Sequence, residues 1–88
     1  MYSIKIKNSL DEKFSKLSKK DKRQMEIISR KIEEILQNPN HYKNLRAPLQ
    51  HLKRAHIGKS FVLVFSVDEN TKTVTFEDYD HHEVIYRT

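Results

Sequence analysis

The run Phe61-Val62-Leu63-Val64-Phe65-Ser66-Val67 is the most apolar stretch of the chain, and it decides the fold. A short apolar run rich in β-branched and aromatic residues predicts a central strand that is buried on both faces. Asp68-Glu69-Asn70-Thr71 is typical of a hairpin loop, and residues 72–79 then alternate as the next strand. Upstream, residues 53–57 favour a short strand, and the single Gly58 suits the turn between the two.

The N-terminal part of the sequence predicts one strand and two helices. Residues 2–7 alternate apolar and polar side chains, which indicates a strand with one buried face. Ser9-Leu10-Asp11-Glu12 has the pattern of a capping box and predicts a helix that ends near Ser18. A second, amphipathic helix is expected over residues 19–37, with an apolar stripe of Met25, Ile28, Ile32, Ile35 and Leu36.

The remaining segments are expected to be irregular. Asn38-Pro39 ends the second helix, residues 38–52 are loop-like, and residues 83–88 form a short tail. The element order β-α-α-β-β-β predicts an α+β fold in which a helical hairpin packs on one face of a small, largely antiparallel sheet.

Length and composition restrict the class of protein. Eighty-eight residues suit a single domain spanning 1–88. The sequence contains no cysteine, which excludes disulfides, thiolate zinc sites and cysteine nucleophiles, and one glycine is too few for a glycine-rich phosphate loop. Neither a membrane span nor a signal peptide is evident, so a soluble, cytoplasmic protein is expected.

The charge of the chain is unevenly distributed. The formal net charge is +5, and residues 1–60 carry 15 basic and 6 acidic side chains. Residues 39–60 contain five basic residues, three histidines and no acidic residue. Such a segment favours a polyanionic partner, either nucleic acid or an acidic protein, although a solvated lysine-rich surface has the same composition.

Three blocks in the second half of the chain carry a family resemblance. They are Asn44-Leu45-Arg46-Ala47-Pro48-Leu49, the basic and apolar stretch 52–65, and Asp80-His81-His82-Glu83-Val84-Ile85-Tyr86. In this order and at this length they resemble the RelE/ParE toxin superfamily. The resemblance implies the toxin of a type II toxin–antitoxin pair, in which RelE-like members cut mRNA in the ribosomal A site.

The resemblance also suggests site residues. The stretch around Arg54-Ala55-His56-Ile57 looks most like the YafQ-type branch, in which two histidines and a C-terminal aromatic residue matter. By that likeness His56 matches the first histidine, His82 the second and Tyr86 the aromatic residue. Val62 stands where bacterial RelE members carry an arginine on the central strand, and Arg54 is the candidate to replace it.

These residue types suit metal-free RNA cleavage, in which the ribose 2′-OH attacks the adjacent phosphorus. His56 and His82 would act as acid and base in either order, because a histidine changes charge near neutral pH. Arg54 would stabilise the phosphorane, and Tyr86 would stack on a base or orient a proton. Phosphate contacts are expected from Arg46, Lys53 and Lys59.

Several alternatives remain open at this point. His81 could take the role of His82, because adjacent strand residues face opposite sides and the register is not fixed. Each candidate could also be a packed or solvated residue without chemistry. The ParE branch acts on DNA gyrase without cleaving RNA, so the same fold allows a non-enzymatic toxin.

The expected partners follow from the resemblance and the charge. A RelB-like antitoxin, acidic and amphipathic, would wrap the basic toxin, and the ribosome and mRNA would be its targets. The toxin–antitoxin complex would form higher oligomers and bind operator DNA through the antitoxin. Neither a metal nor another cofactor is expected, and no histidine pair has the helical spacing of a zinc site.

Overall fold

The computed structural model describes residues 1–87, which form a four-stranded sheet and three α-helices. In chain order the elements are β1 (Ser3–Ile6), α1 (Asn8–Lys20), α2 (Lys22–Gln37), a 3₁₀ turn (Pro39–His41), β2 (Lys53–Ile57), β3 (Phe61–Asp68), β4 (Thr73–His81) and α3 (His82–Ile85). The strand order is β1-β4-β3-β2. The β2–β3 and β3–β4 pairs are antiparallel, and β1 runs parallel to β4. The predicted α+β fold with a largely antiparallel sheet is confirmed.

The main core lies between the helices and one face of the sheet. Four residues of the predicted α2 stripe are buried, and the fifth, Met25, is half-buried against the same core. From the sheet, Leu63, Phe65 and Phe76 reach this core, where Phe65 and Phe76 lie 5.8 Å apart between ring centroids. The helical hairpin therefore covers one face of the sheet, as the sequence predicted.

The two helices begin and end at different residues from those predicted. The capping box at Ser9 does not form: α1 begins at Asn8, and its N-cap residue Lys7 makes no side-chain capping hydrogen bond. The helix also continues past Ser18 to Lys20. Asp21 alone separates α1 from α2, and its carboxylate accepts a hydrogen bond from the backbone N–H of Gln24 at 3.1 Å. A single strong N-cap therefore sets the corner between the helices.

The opposite face of the sheet carries a second, smaller core. Its buried residues are Leu45, Val62 and Val64, and half-buried Leu49, Leu52 and Ile85 pack against them. The covering residues come from the segment predicted as a loop and from the C-terminal segment predicted as a tail. That second prediction was wrong for residues 83–85, which with His82 form α3, and Thr88 lies outside the described residues. Docking of Ile85 on the apolar face of β3 explains why so short a helix forms there.

Within residues 1–87, none of the helices combines the length and the apolar character that crossing a membrane would require.

Candidate functional site

A cleft opens on the sheet face opposite the helical hairpin. It has a volume of about 570 Å³ and lies between the irregular segment 44–49, strand β2 and helix α3. Its walls are formed by residues 44–49 together with Arg54, His56, Ile85 and Tyr86. The floor is the second core, so the charged and aromatic side chains surround an apolar base.

Strand alternation places two of the predicted site residues in this cleft. Ala55 and Ile57 of β2 are buried in the helix-side core. Because successive strand residues point to opposite faces, Arg54 and His56 point to the cleft side. The register puts Arg54 beside Val64 and His56 beside Val62, both of which belong to the second core.

Tyr86 closes the cleft from the other side. Its backbone N–H donates to the carbonyl oxygen of His82 at 2.9 Å, which continues the turn of α3. The guanidinium carbon of Arg54 lies 6.0 Å from the centroid of the Tyr86 ring, within range of a cation–π interaction. The Tyr86 side chain is still 45% exposed, so its ring remains available to a ligand.

Hydrogen bonds shape the segment that forms the third wall. The Leu45 N–H donates to the carbonyl oxygen of Leu52 at 2.8 Å, and the Leu49 N–H donates to that of Arg46 at 2.9 Å. The Asn44 side-chain amide donates to the carbonyl oxygen of Gln50 at 2.6 Å. These bonds order the segment without a regular helix or strand, and the exposed Arg46 projects from it at the cleft.

Two of the predicted phosphate ligands lie away from the cleft. Lys53 pairs with Phe65 and therefore faces the helix side, where its ammonium donates to the Tyr42 carbonyl oxygen and to Asn44 Oδ1, both at 3.1 Å. Lys59 is exposed in the turn between β2 and β3 and does not line the cleft. Of the three predicted phosphate ligands, Arg46 lines the cleft together with Arg54 and His56, and Lys53 and Lys59 do not.

The second predicted histidine lies beside the cleft rather than in its wall. His82 is half-buried, and its backbone N–H donates to the carbonyl oxygen of Ser60 at 2.8 Å, at the end of the sheet that also carries His56. The neighbouring His81 packs edge-to-face against Phe61, at 5.8 Å between ring centroids. Phe61 in turn stacks on the buried Tyr79, so His81 belongs to the helix-facing side of the sheet.

The cleft also contains residues that belong to the family-like blocks but that the sequence did not predict as site residues. Asn44, Leu49 and Ile85 line it, and the latter two join the second core. No periodicity marks an irregular segment, so the only sequence signal for this wall was the short block 44–49.

The charges of the cleft define its chemistry. Its described lining contains two guanidinium groups and one imidazole, and no carboxylate is among these residues. Guanidinium groups bind phosphate through paired hydrogen bonds, and an imidazole transfers protons near neutral pH. The cleft can therefore bind an anionic phosphodiester and act on it by acid–base chemistry, with Tyr86 available for stacking.

No family model matches the chain, but comparison with individual proteins shows its family. It is 63% identical over 86 residues to an "Uncharacterized protein" of Methanosarcina mazei, covering 98% of this chain and 100% of that protein. It is 62% identical over 87 residues to the "Putative toxin RelE4" of Methanocaldococcus jannaschii, covering 99% of this chain and 93% of the relative. The chain belongs to the RelE toxin family.

Solved structures share the fold of this RelE-family chain at much lower identity. The RelBE2 toxin–antitoxin complex of Mycobacterium tuberculosis matches with a TM-score of 0.77 at 20% identity, covering 91% of this chain and 96% of that one. The RelBE complex of E. coli matches at 0.78 and 17%, covering 92% and 96%. YafQ of E. coli matches at 0.74 and 16%, covering 98% and 99%. At these identities the matches establish the RelE-like fold.

Proposed function

We propose that this RelE-family chain is the toxin of a type II toxin–antitoxin pair and cleaves mRNA on the ribosome. The observation that carries the proposal is that Arg54, His56, Arg46 and Tyr86 line one cleft, although they come from three separate segments of the chain. A basic, carboxylate-free cleft with an exposed aromatic ring fits single-stranded RNA, which binds through its phosphates and its unstacked bases.

In the proposed reaction the ribose 2′-OH attacks the adjacent phosphorus and displaces the 5′-oxygen of the next nucleotide. His56, exposed on the cleft side of β2, removes the 2′-OH proton. The developing phosphorane charge is stabilised by Arg54, with Arg46 contributing from the opposite wall. No metal takes part in this step, because the ribose supplies the nucleophile and the side chains supply the charge.

His82 is proposed to protonate the leaving 5′-oxygen or to hold the phosphate as an imidazolium. His82 is the first residue of α3, the helix that leads to Tyr86. It would therefore contact an RNA strand bound in the cleft from the side. A substrate that spans the cleft and continues past the start of α3 would contact both histidines. Tyr86 would stack on the base next to the scissile phosphate.

The proposal is tested by adding the purified chain to a translating extract and mapping message ends by primer extension. New ends that require translation, and that disappear when the antitoxin is added, are expected. Intact messages with normal protein synthesis would overturn the proposal. His56→Ala and Arg54→Ala should each slow cleavage at least about tenfold.

Matched control variants distinguish the specific roles of His56 and Arg54 from a general effect of removing any histidine or any positive charge. His51→Ala removes an exposed histidine that does not line the cleft, and Arg23→Ala removes an exposed arginine of α2. Both are expected to cleave like the parent chain. Thermal unfolding of all four variants checks that any loss of activity is not a loss of fold.

A second candidate function is a gyrase-blocking toxin, and the position of Val62 favours it. This residue stands where bacterial RelE members carry an arginine, and here it is 0% exposed within the second core. The buried valine side chain cannot contact RNA. Inhibition of DNA supercoiling with RNA left whole would establish this alternative, whereas supercoiling should proceed normally if the chain is a nuclease.

An antitoxin is the proposed partner in either case. Two of the solved structures described above are toxin–antitoxin complexes. The formal net charge of +5 favours an acidic partner, and exposed apolar residues such as Ile27 and Val84 offer it contacts. Association with an acidic antitoxin should slow as salt is added, and stopped-flow measurements over a salt series check this. Binding of operator DNA is proposed as a property of that complex.

A further inference from the structure

The three consecutive residues His81, His82 and Glu83 bring potential metal ligands together. Each offers one ligand atom, and these three atoms lie within 4.8 Å of one another. The two imidazole rings are 4.4 Å apart between centroids. Two half-buried histidines and an exposed carboxylate thus meet at one point of the surface, outside the lining of the cleft.

A change in backbone conformation explains this arrangement. On a continuous strand the side chains of His81 and His82 would point to opposite faces of the sheet. Here β4 ends at His81 and α3 begins at His82, so the chain turns between them. The two rings therefore come close together at the end of β4, which is why the histidine spacing in the sequence did not predict a shared site.

We propose that His81, His82 and Glu83 bind a divalent transition-metal ion of the Zn²⁺ class. Imidazole nitrogen with carboxylate oxygen is a donor set that zinc, copper and nickel prefer, whereas Mg²⁺ prefers oxygen donors only. At zinc–ligand distances of about 2.0–2.2 Å, tetrahedral ligands lie roughly 3.3 Å apart. The present atoms need to approach by about 1.5 Å, which rotation of the exposed Glu83 side chain and of one ring supplies.

Metal binding would replace an existing hydrogen bond. Nδ1 of His81 accepts from the backbone N–H of Glu83 at 3.2 Å and so caps α3. Coordination through either ring nitrogen of His81 ends this bond, because Nδ1 then holds either the metal or the proton. The coordinated ion would instead link the end of β4 to the first turn of α3.

The consequence would be a firmer attachment of α3 to the sheet. Ile85 of this helix packs on the second core, and Tyr86 at its end faces Arg54. An ion that binds the folded chain and not the unfolded one raises the unfolding temperature by mass action. Metal binding would therefore stabilise one wall of the cleft from outside it, and while the ion is bound His82 would not take the proton-transfer role proposed above.

The test is a titration of the purified chain with Zn²⁺, followed by calorimetry and by NMR of the histidine rings. One ion per chain is expected, with a rise in unfolding temperature and a shift of the Glu83 amide resonance. Cu²⁺ added in trace amounts should broaden the ring signals of His81 and His82 before those of His41, His51 and His56. Mg²⁺ at the same concentration should change none of these signals.

Variants make the result decisive. His82→Ala and Glu83→Gln should each lower the Zn²⁺ affinity by about tenfold or more, and His51→Ala should leave it unchanged. Glu83→Gln keeps the size of an exposed side chain, so it remains informative if His82→Ala fails to fold. The absence of saturable binding, or equal binding by Glu83→Gln and His51→Ala, would overturn the site. None of these readouts depends on RNA cleavage.

Discussion

On one face of the sheet two amphipathic helices bury a core of 13 residues, whereas on the other an irregular segment and a four-residue helix bury three, counted within residues 1–87. The helix side is closed, and its side chains contact one another. The cleft side is partly open, and cations and an aromatic ring surround its small apolar floor. The difference teaches that one sheet serves two purposes: its helix face supplies most of the stability, and its other face presents the side chains that we propose act on RNA.

The largest effect is expected from the helix-side core. Phe65 is 0% exposed and contacts both Phe76 and Tyr42 through ring pairs. Phe65→Ala should lower the free energy of unfolding by about 3–5 kcal/mol, since it removes buried surface and leaves a cavity. Urea denaturation followed by circular dichroism measures this loss. A loss below about 1 kcal/mol would show that the helix side does not dominate stability.

Two leucines compare the two cores directly. Leu36 on the helix side is 8% exposed and Leu45 on the cleft side is 7% exposed. Leu36→Ala should cost about 3 kcal/mol and Leu45→Ala about 2 kcal/mol, because a smaller core relaxes more easily around a cavity. If the chain cleaves RNA as proposed, only Leu45→Ala should also slow that cleavage, since its segment carries Arg46. If urea denaturation gives the same loss of stability for Leu36→Ala and Leu45→Ala, and both variants have the same activity, the two faces of the sheet do not differ in the way described.

Tyr86 tests the aromatic wall of the cleft. If its ring stacks on a base, Tyr86→Ala should weaken RNA binding by about 1–3 kcal/mol, and Tyr86→Phe should bind like the parent chain. Fluorescence anisotropy with a short labelled RNA measures both. Weak binding by Tyr86→Phe as well would assign the role to the phenol hydroxyl instead of the ring.

The smallest effect concerns an ion pair beside the helix-side core. Burial acts to lower the pKa of Lys13, but hydrogen bonds and charges from Asp78 and Asp80 outweigh it and raise that pKa above the ordinary 10.5. The ammonium lies 3.1 Å from Asp78 Oδ1 and 3.3 Å from Asp80 Oδ2. These groups are 37–49% exposed, so solvent screens the pair, and Lys13→Met should cost less than about 1 kcal/mol at neutral pH.

The pH dependence of this pair has a definite sign. A raised lysine pKa stabilises the fold while the lysine is protonated, so the contribution is complete below about pH 10 and is lost as the pH rises through the folded-state pKa. The stability difference between the parent chain and Lys13→Met should therefore shrink in alkali. Lys16→Met, at an exposed position of the same helix, is the control and should differ little from the parent at any pH.

The same two faces explain what the sequence could predict. The helical spacing of Ile28, Ile32 and Ile35 and the apolar run of β3 belong to regular elements that bury many side chains. These patterns therefore predict the sheet and a helical hairpin packed on one of its faces. Strand alternation likewise predicts that Arg54 and Lys53 face opposite sides. The family resemblance supplied the toxin assignment, which periodicity alone does not contain.

The cleft wall and α3 could not be predicted in the same way. Leu45, which is buried, and Leu49, which is half-buried, belong to an irregular segment whose hydrogen bonds follow no repeat. A four-residue helix is too short to show a period. The position of the His82 ring depends on where β4 ends, which tertiary packing of Ile85 decides. The helix boundary at Asn8 differed because tertiary pairing of the preceding strand, rather than a side-chain cap, positions the first turn.

The parallel pairing of β1 with β4 also affects how the chain folds while the ribosome synthesises it. Ser3 is paired with Thr73 and Ile6 with Phe76, so the first strand to be synthesised pairs only with the fourth, the last strand of the described sheet. Such contacts between distant parts of a chain form late and slowly during folding. A nascent chain therefore cannot complete its sheet until β4 has been synthesised, so β1 has no strand partner while α1, α2, β2 and β3 are being made.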